Sequence, residues 1–345
     1  MPEPQVMSSV RPPWAVPGGR VLLEGGQFPL LSDGPPPVRV GLHDTHVAAA
    51  SRQSLRLVIP PAAEGGTMPI HVGASDAAGT ASVEVARLLA TGLHQVDSPA
   101  FDGLGRLYVT QSGGRGTKVP VPMYRVSGLG VREPLAVEIA NPTSLALGPD
   151  GAMYVSSRFE GHVFRVVTDD RVERYVGELG VPTGLAFAPD GSLFVGDRLG
   201  TVFRISASRE VETFATLPPS VAAFHLAFGP DGALYVAAPT LASHDPIYRI
   251  TPDRRVEVAC DGFGRPQGLA FDREGRLYVA DALAGSSGLF RVDVTARDPT
   301  PELIVSAPML VGVAIDPDGG LVLASNDTIW RLDVDIRPLI VHEPV

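Results

Sequence analysis

Short apolar runs alternate with polar, turn-rich stretches along the whole chain, and no window carries an apolar stripe at the spacing of a long helix. From Ser98 onward this pattern repeats. Six segments align: SPAFDGLGRLYVTQ from Ser98, SLALGPDGAMYVSS from Ser144, GLAFAPDGSLFVGD from Gly184, HLAFGPDGALYVAA from His225, GLAFDREGRLYVAD from Gly268 and GVAIDPDGGLVLAS from Gly312. Their shared turn glycine is Gly105, Gly151, Gly191, Gly232, Gly275 and Gly319, at intervals of 46, 40, 41, 43 and 44 residues. In each unit a short strand such as Leu185–Phe187 enters a tight turn of the Pro-Asp-Gly kind, because proline presets and glycine permits the reversal. An apolar strand such as Leu193–Val195 follows. A variable loop then leads to a third strand ending in an aromatic–Arg–aliphatic triplet, from Tyr124-Arg125-Val126 in the first unit to Trp330-Arg331-Leu332 in the last. A fourth strand such as Val211–Ala215 completes the unit, and four strands per 40-odd residues make one propeller blade. The expectation is an all-β chain with a six-bladed β-propeller over residues 86–345. A closed ring leaves few open sheet edges, and closure needs a strand from the other end of the chain. Val85–Leu93 reads as that strand, completing the sixth blade, with Leu339–Val341 as its competitor.

Residues 10–85 do not repeat. They read as short strands between Pro/Gly turns, forming a small β-sandwich, with residues 1–9 as a disordered N-terminus. No Ser/Gly-rich linker separates the last of these strands from the propeller, so the junction is expected to be stiff.

Composition narrows the function. Gly 38 and Pro 33 suit many short strands joined by turns. The net charge is -10, and Lys118 is the only lysine. No basic cluster stands out, which disfavours a nucleic-acid partner. Cys260 is the only cysteine, so neither an internal disulfide nor a cysteine metal cluster is possible, and it reads as an inert thiol. Met1–Val16 lacks the basic start and apolar stretch of a leader, and no apolar run approaches a membrane span. A soluble cytoplasmic protein with no membrane partner is the expectation.

Two resemblances add to this reading. Pro13-x-x-x-Pro17-Gly18-Gly19, Gly25-Gly26-Gln27-Phe28 and Val58-Ile59-Pro60-Pro61 resemble an IPT/TIG immunoglobulin-like domain, which implies a spacer or binding module. The repeat resembles NHL-type and SMP-30/gluconolactonase-type six-bladed propellers. In particular Asp97-Ser98-Pro99-Ala100-Phe101-Asp102 is similar to the first-blade motif of the gluconolactonase group. That resemblance implies a divalent cation at Asp97, calcium first and zinc or manganese otherwise, polarising a lactone and activating water. The sequence departs from the group elsewhere. Thr183-Gly184 or Thr143-Ser144 stands where the group has Asn-Gly, and Pro266-Gln267-Gly268 where it has the Pro-Asp-Gly of the catalytic acid. A neutral amide cannot serve as a general base near neutral pH.

In a propeller, first-strand starts and second-strand ends share the loop face that carries ligand sites. The first ring of candidates is Asp97, Asn141, Thr143, Thr183, His225 and Gln267. The second is Gln111, Arg158, Asp197, Arg198, Asp281, Asn326 and Asp327. Asp97 and His225 are the catalytic candidates. Asp97, Asp197 and Asp281 are the metal candidates. Asn141, Thr183, Gln267, Arg158, Arg198 and Asn326 are the ligand-binding candidates. Asp197 and Asp281 have a competing structural role, tying down the loops they precede, and an arginine repeated in every blade reads as architecture. His43 and His46 lie on one strand on opposite faces and read as a surface pair. Gly113-Gly114-Arg115-Gly116 reads as a flexible loop tip. Two function classes follow: a propeller binding a small-molecule or protein ligand on its loop face, or a metal-dependent lactone hydrolase.

Overall fold

The computed structural model describes residues 7–30, 34–73, 81–282 and 287–341. Among them every regular element is a strand, and no helix is long and apolar enough to cross a membrane.

The repeats form four-stranded antiparallel blades of a β-propeller. In the third repeat, Pro182–Phe187, Leu193–Asp197, Thr201–Ile205 and Val211–Thr216 pair in chain order. The first two of these strands are buried at every position, whereas the last is mostly exposed. Inner strands stack between neighbouring blades and are covered on both faces, so their sequences are continuously apolar. All the shared turn glycines have positive φ, from 71° at Gly232 to 96° at Gly319, where a side chain would be strained. In four repeats the triplet arginine staples its own turn, while Arg125 pairs with Asp169 of the next repeat and Arg291 with Glu302 on its fourth strand. Arg165 meets Asp150 at 2.6 Å, Arg204 meets Asp190 at 2.9 Å, and Arg249 meets Asp231 at 2.7 Å, each within its own blade. Arg331 pairs instead with Asp316, two residues before the turn aspartate Asp318. The recurrent arginine is therefore architectural, as the repeat implies.

Hydroxyls at the starts of first strands link one blade to the next. Ser144 Oγ accepts from Leu185 N at 3.1 Å, and Thr183 Oγ1 accepts from Phe224 N at 2.9 Å. Ser98 Oγ accepts from Val313 N at 3.2 Å, which joins the last repeat to the first. Closure uses the N-terminal candidate: Arg87–Thr91 pairs with Thr328–Leu332 as the fourth strand of the last blade. Leu339 donates instead to Phe271 O at 2.9 Å, and the C-terminal segment lies along the fifth repeat.

Ahead of the propeller, two sheets enclose one apolar core. Met7–Arg11, Arg20–Gly25, Ser54–Val58 and Val47–Ala50 make the first sheet. Trp14–Ala15, Ser82–Val85, Gly66–Val72, Val38–Val40 and His43–Thr45 make the second. Val21, Leu23, Leu55 and Leu57 of the first pack with Val38, Val40, Ile70 and Val83 of the second. One expectation fails here. Residues 7–9 of the segment expected to be disordered belong to an edge strand, because Val10 and Arg11 pair with Leu23 and Leu22. Residues 1–6 lie outside the described residues.

The second sheet does not end with this module. Trp14–Ala15 runs parallel to Glu84–Val85 on one side and to Val305–Ser306 of the fifth blade on the other, giving one continuous nine-stranded sheet. Val16 N donates to Ser306 O at 3.0 Å, and Arg20 N donates to Ser306 Oγ at 2.7 Å. A stiff junction is thus made by backbone pairing and not only by a short connection.

Gly19 sits at this seam, where a Cβ would collide with the carbonyl oxygen of Ser306. Gly19→Ala must push the two modules apart. The expected outcome is a loss of about 1–3 kcal/mol in urea unfolding, the usual cost of overpacking. Faster protease nicking near residues 12–19 should accompany it. An unchanged midpoint would show that the seam carries no stability.

Candidate functional site

The N-terminal module is held over the loop face of the propeller, and a cavity of about 880 Å³ lies between them. Its propeller wall is built from loops that follow second strands or precede first strands. Arg158 follows Met153–Ser157, Arg198 follows Leu193–Asp197, and Arg265 precedes Pro266–Phe271. Gln95, Thr183, Gln267 and Asn326 line it as well. Val96, Val221, Ala223 and Val311 add apolar surface.

The opposite wall is the outer face of the first N-terminal sheet. Register aligns Arg11 with Leu22 and Leu22 with Arg56 in one row across three strands, with Arg20 two residues before Leu22 on the same face. The alternate residues Val21 and Leu23 face the module's core, so strand periodicity turns this row toward the propeller.

The carboxylates of the loop face do structural work. Asp197 Oδ1 accepts from Val181 N at 2.9 Å and from Leu199 N at 3.1 Å. Asp281 accepts from Gly264 N at 2.9 Å and Arg265 N at 2.6 Å. Each fixes the loop that presents a cavity arginine. Asn141 is equally occupied: its amide donates to Gly113 O at 2.8 Å and Gly114 O at 3.0 Å, and its oxygen accepts from Gly116 N at 2.7 Å. It does not line the cavity, and the glycine-rich loop expected to be a flexible tip is anchored by it. Thr183 lines the cavity while its hydroxyl serves the inter-blade link.

Asp97 and His225 come from the first and fourth repeats and meet at 2.5 Å, Oδ1 to Nδ1, both almost fully buried. Asp97 Oδ1 also accepts from Ser98 N at 2.6 Å. His225 Nε2 has no partner, and neither does the Nε2 of Gln95, which lines the cavity. Asp97 and His225 themselves are not among the lining residues.

This donor set does not fit a hard divalent cation. Such an ion needs several oxygens converging on one point. Asp97 is engaged by an imidazole, while Asp197 and Asp281 are spent on separate loops. Among the described residues no three His, Cys, Asp or Glu side chains gather as a metal site, His43 and His46 included. Cys260 is buried away from the cavity, and burial, aided by Asp261, pushes its thiol up to about 12, which keeps it unreactive.

Sequence reasoning missed Arg265, Gln95 and the whole N-terminal wall. Arg265 precedes its first-strand proline as Asn141 precedes Pro142, so aligning the repeats at that proline exposes it. Nothing local marks Arg20 and Arg56, which acquire their role from the docking of the module.

Neither a protein-family model nor any curated protein matches the sequence. Solved structures match the fold. An auxiliary nutrient binding protein from Bacteroides thetaiotaomicron is 15% identical with a TM-score of 0.56, covering 96% of this chain and 98% of its own. A candidate gluconolactonase is 18% identical with a TM-score of 0.58, covering 74% of this chain and 93% of its own. Virginiamycin B lyase from Staphylococcus aureus is 15% identical with a TM-score of 0.52, covering 72% of this chain and 97% of its own. At these identities the likeness shows the β-propeller fold alone.

Asp197→Ala strands two loop N–H groups and frees the loop that presents Arg198. Unfolding in urea should show a loss of about 1–3 kcal/mol, the cost of orphaned buried donors. Stability equal to the parent protein would remove the structural role assigned to this carboxylate.

Proposed function

We propose that this protein is a ligand-binding six-bladed propeller whose immunoglobulin-like module covers the loop face, and that a small molecule occupies the cavity between them. The observation that carries this reading is the cavity itself. Its volume of about 880 Å³ falls in the usual range of small-molecule sites, and polar and apolar side chains share its walls. A recess flanked by two modules favours a small molecule over a protein surface as the occupant. The nutrient-binding protein of like fold spans both modules of this chain, which is consistent with the same division of labour.

The lactone-hydrolase alternative finds less support. Gln267 replaces the expected acid, and the carboxylates that would hold a metal are separated and engaged. The pair formed by Asp97 and His225 is buried outside the cavity lining and is better suited to holding the first and fourth repeats together.

Thermal-shift screening of small acids, sugars, lactones and amino acids tests the reading. A ligand at a hundredfold excess over its Kd stabilises the folded state by about 2.7 kcal/mol, so hits should be plain. They should disappear in Ala222→Trp, which fills the cavity from a half-buried lining position. Hits that survive Ala222→Trp would place the site elsewhere. Calcium, zinc and manganese should leave the melting temperature of the metal-stripped protein unchanged. A shift with one of them, lost in Asp97→Ala, would restore the hydrolase reading.

A further inference from the structure

The chain has ten more acidic than basic residues, and its propeller arginines are routinely paired with carboxylates. The cavity breaks that pattern. Arg11, Arg20, Arg56, Arg158, Arg198 and Arg265 all line it, and no Asp or Glu does among the described residues.

Their bonding is equally unusual. Arg11 has a loose pair with Glu24 at 3.4 Å. Arg198 donates only to the carbonyls of Ser220 and Val221, at 3.1 and 3.2 Å. Among the described residues no carboxylate pairs with Arg20, Arg56, Arg158 or Arg265, and Arg265 Nε is buried with no partner at all. Burial first, and the neighbouring Arg198 charge second, hold the pKa of Arg158 below its ordinary value, though the guanidinium stays charged at any physiological pH. Arg158 and Arg265 are half-buried, whereas Arg11, Arg20, Arg56 and Arg198 are exposed at the cavity's rim. Half-buried like charges without a carboxylate partner are costly in the empty protein. An incoming anion relieves that cost, and the planar donor fork of arginine suits carboxylate and phosphoryl oxygens.

The space between the arginines is not polar throughout. Leu22, Val96, Val221, Val311 and Met309 line it too. A bare inorganic ion would leave this surface uncovered.

We propose that the cavity binds an organic anion with an apolar body, its carboxylate, phosphate or sulfonate group held by Arg158, Arg198 and Arg265 of the propeller and facing Arg20 and Arg56 of the N-terminal module. This rests on the reading of the cavity as the ligand site and assigns the class of ligand. Because the two arginine sets come from different modules, one bound anion bridges them.

Calorimetric titration of the full chain tests it with four probes: 1-naphthyl phosphate, 2-naphthoate, the neutral 1-naphthol and inorganic phosphate. The two organic anions should bind at least tenfold tighter than 1-naphthol and than inorganic phosphate. Raising salt should weaken the anions and leave 1-naphthol unaffected. Arg158→Gln with Arg265→Gln should weaken both anions at least tenfold, while Arg158→Lys keeps most of the affinity. Arg158→Gln alone should melt no lower than the parent without ligand, since it removes a charge that has no partner, and it serves alone if the double variant fails to fold. Equal binding of 1-naphthol and 1-naphthyl phosphate, both blocked by Ala222→Trp, would overturn the charge assignment and leave the cavity as a site. Anion binding unchanged in the arginine variants would also overturn it. Inorganic phosphate binding as tightly as the organic anions would remove the apolar body. Binding by none of the four would overturn both readings.

Discussion

Two residues, Trp14 and Ala15, hold this molecule's functional geometry together. They pair in parallel with Glu84 and Val85 of their own module and with Val305 and Ser306 of the fifth blade. A loose tether would let the N-terminal module sample many orientations, since a flexible linker restricts position only weakly. Shared sheet hydrogen bonds instead fix its angle and distance. Everything specific about the cavity follows from that seam, because one wall belongs to each side of it.

Within this frame the same residue types do opposite jobs. Arg165, Arg204 and Arg249 lie against turn aspartates and stabilise the blades to which they belong. Arg158, Arg265, Arg20 and Arg56 have no carboxylate partner among the described residues and line the cavity. Aspartates divide the same way. Asp197 and Asp281 satisfy loop N–H groups that would otherwise be unpaired, and in doing so they aim Arg198 and Arg265. Structural carboxylates thereby position cavity-lining arginines without pairing with them.

The blade architecture was legible in the chain because it is local. A turn glycine forced to positive φ, an apolar strand after it and a triplet arginine in reach of the turn aspartate all lie within one repeat. Six copies average out any single misleading residue. The closing strand was legible for a related reason: Val85–Leu93 has the pattern of a fourth strand, and only one place in the ring lacks one. The propeller half of the site was partly legible, since topology puts Arg158, Arg198, Thr183, Gln267 and Asn326 on the loop face, where they do line the cavity. Asn141 shares that face and turns away to hold a loop, a choice made by hydrogen-bonding partners that sequence spacing does not show.

By itself, then, the sequence determined an all-β chain, a ring of four-stranded repeats and the two candidates for its closing strand. These depend on turn chemistry and on a two-residue side-chain period, both readable from neighbours in the chain. Tertiary structure alone decided that Arg11, Leu22 and Arg56 form a row, that the row faces the propeller, and that Asp97 is engaged by His225, 128 residues away. Register and docking are set by contacts between distant segments, and a shift of one residue in either would turn those side chains to the other face.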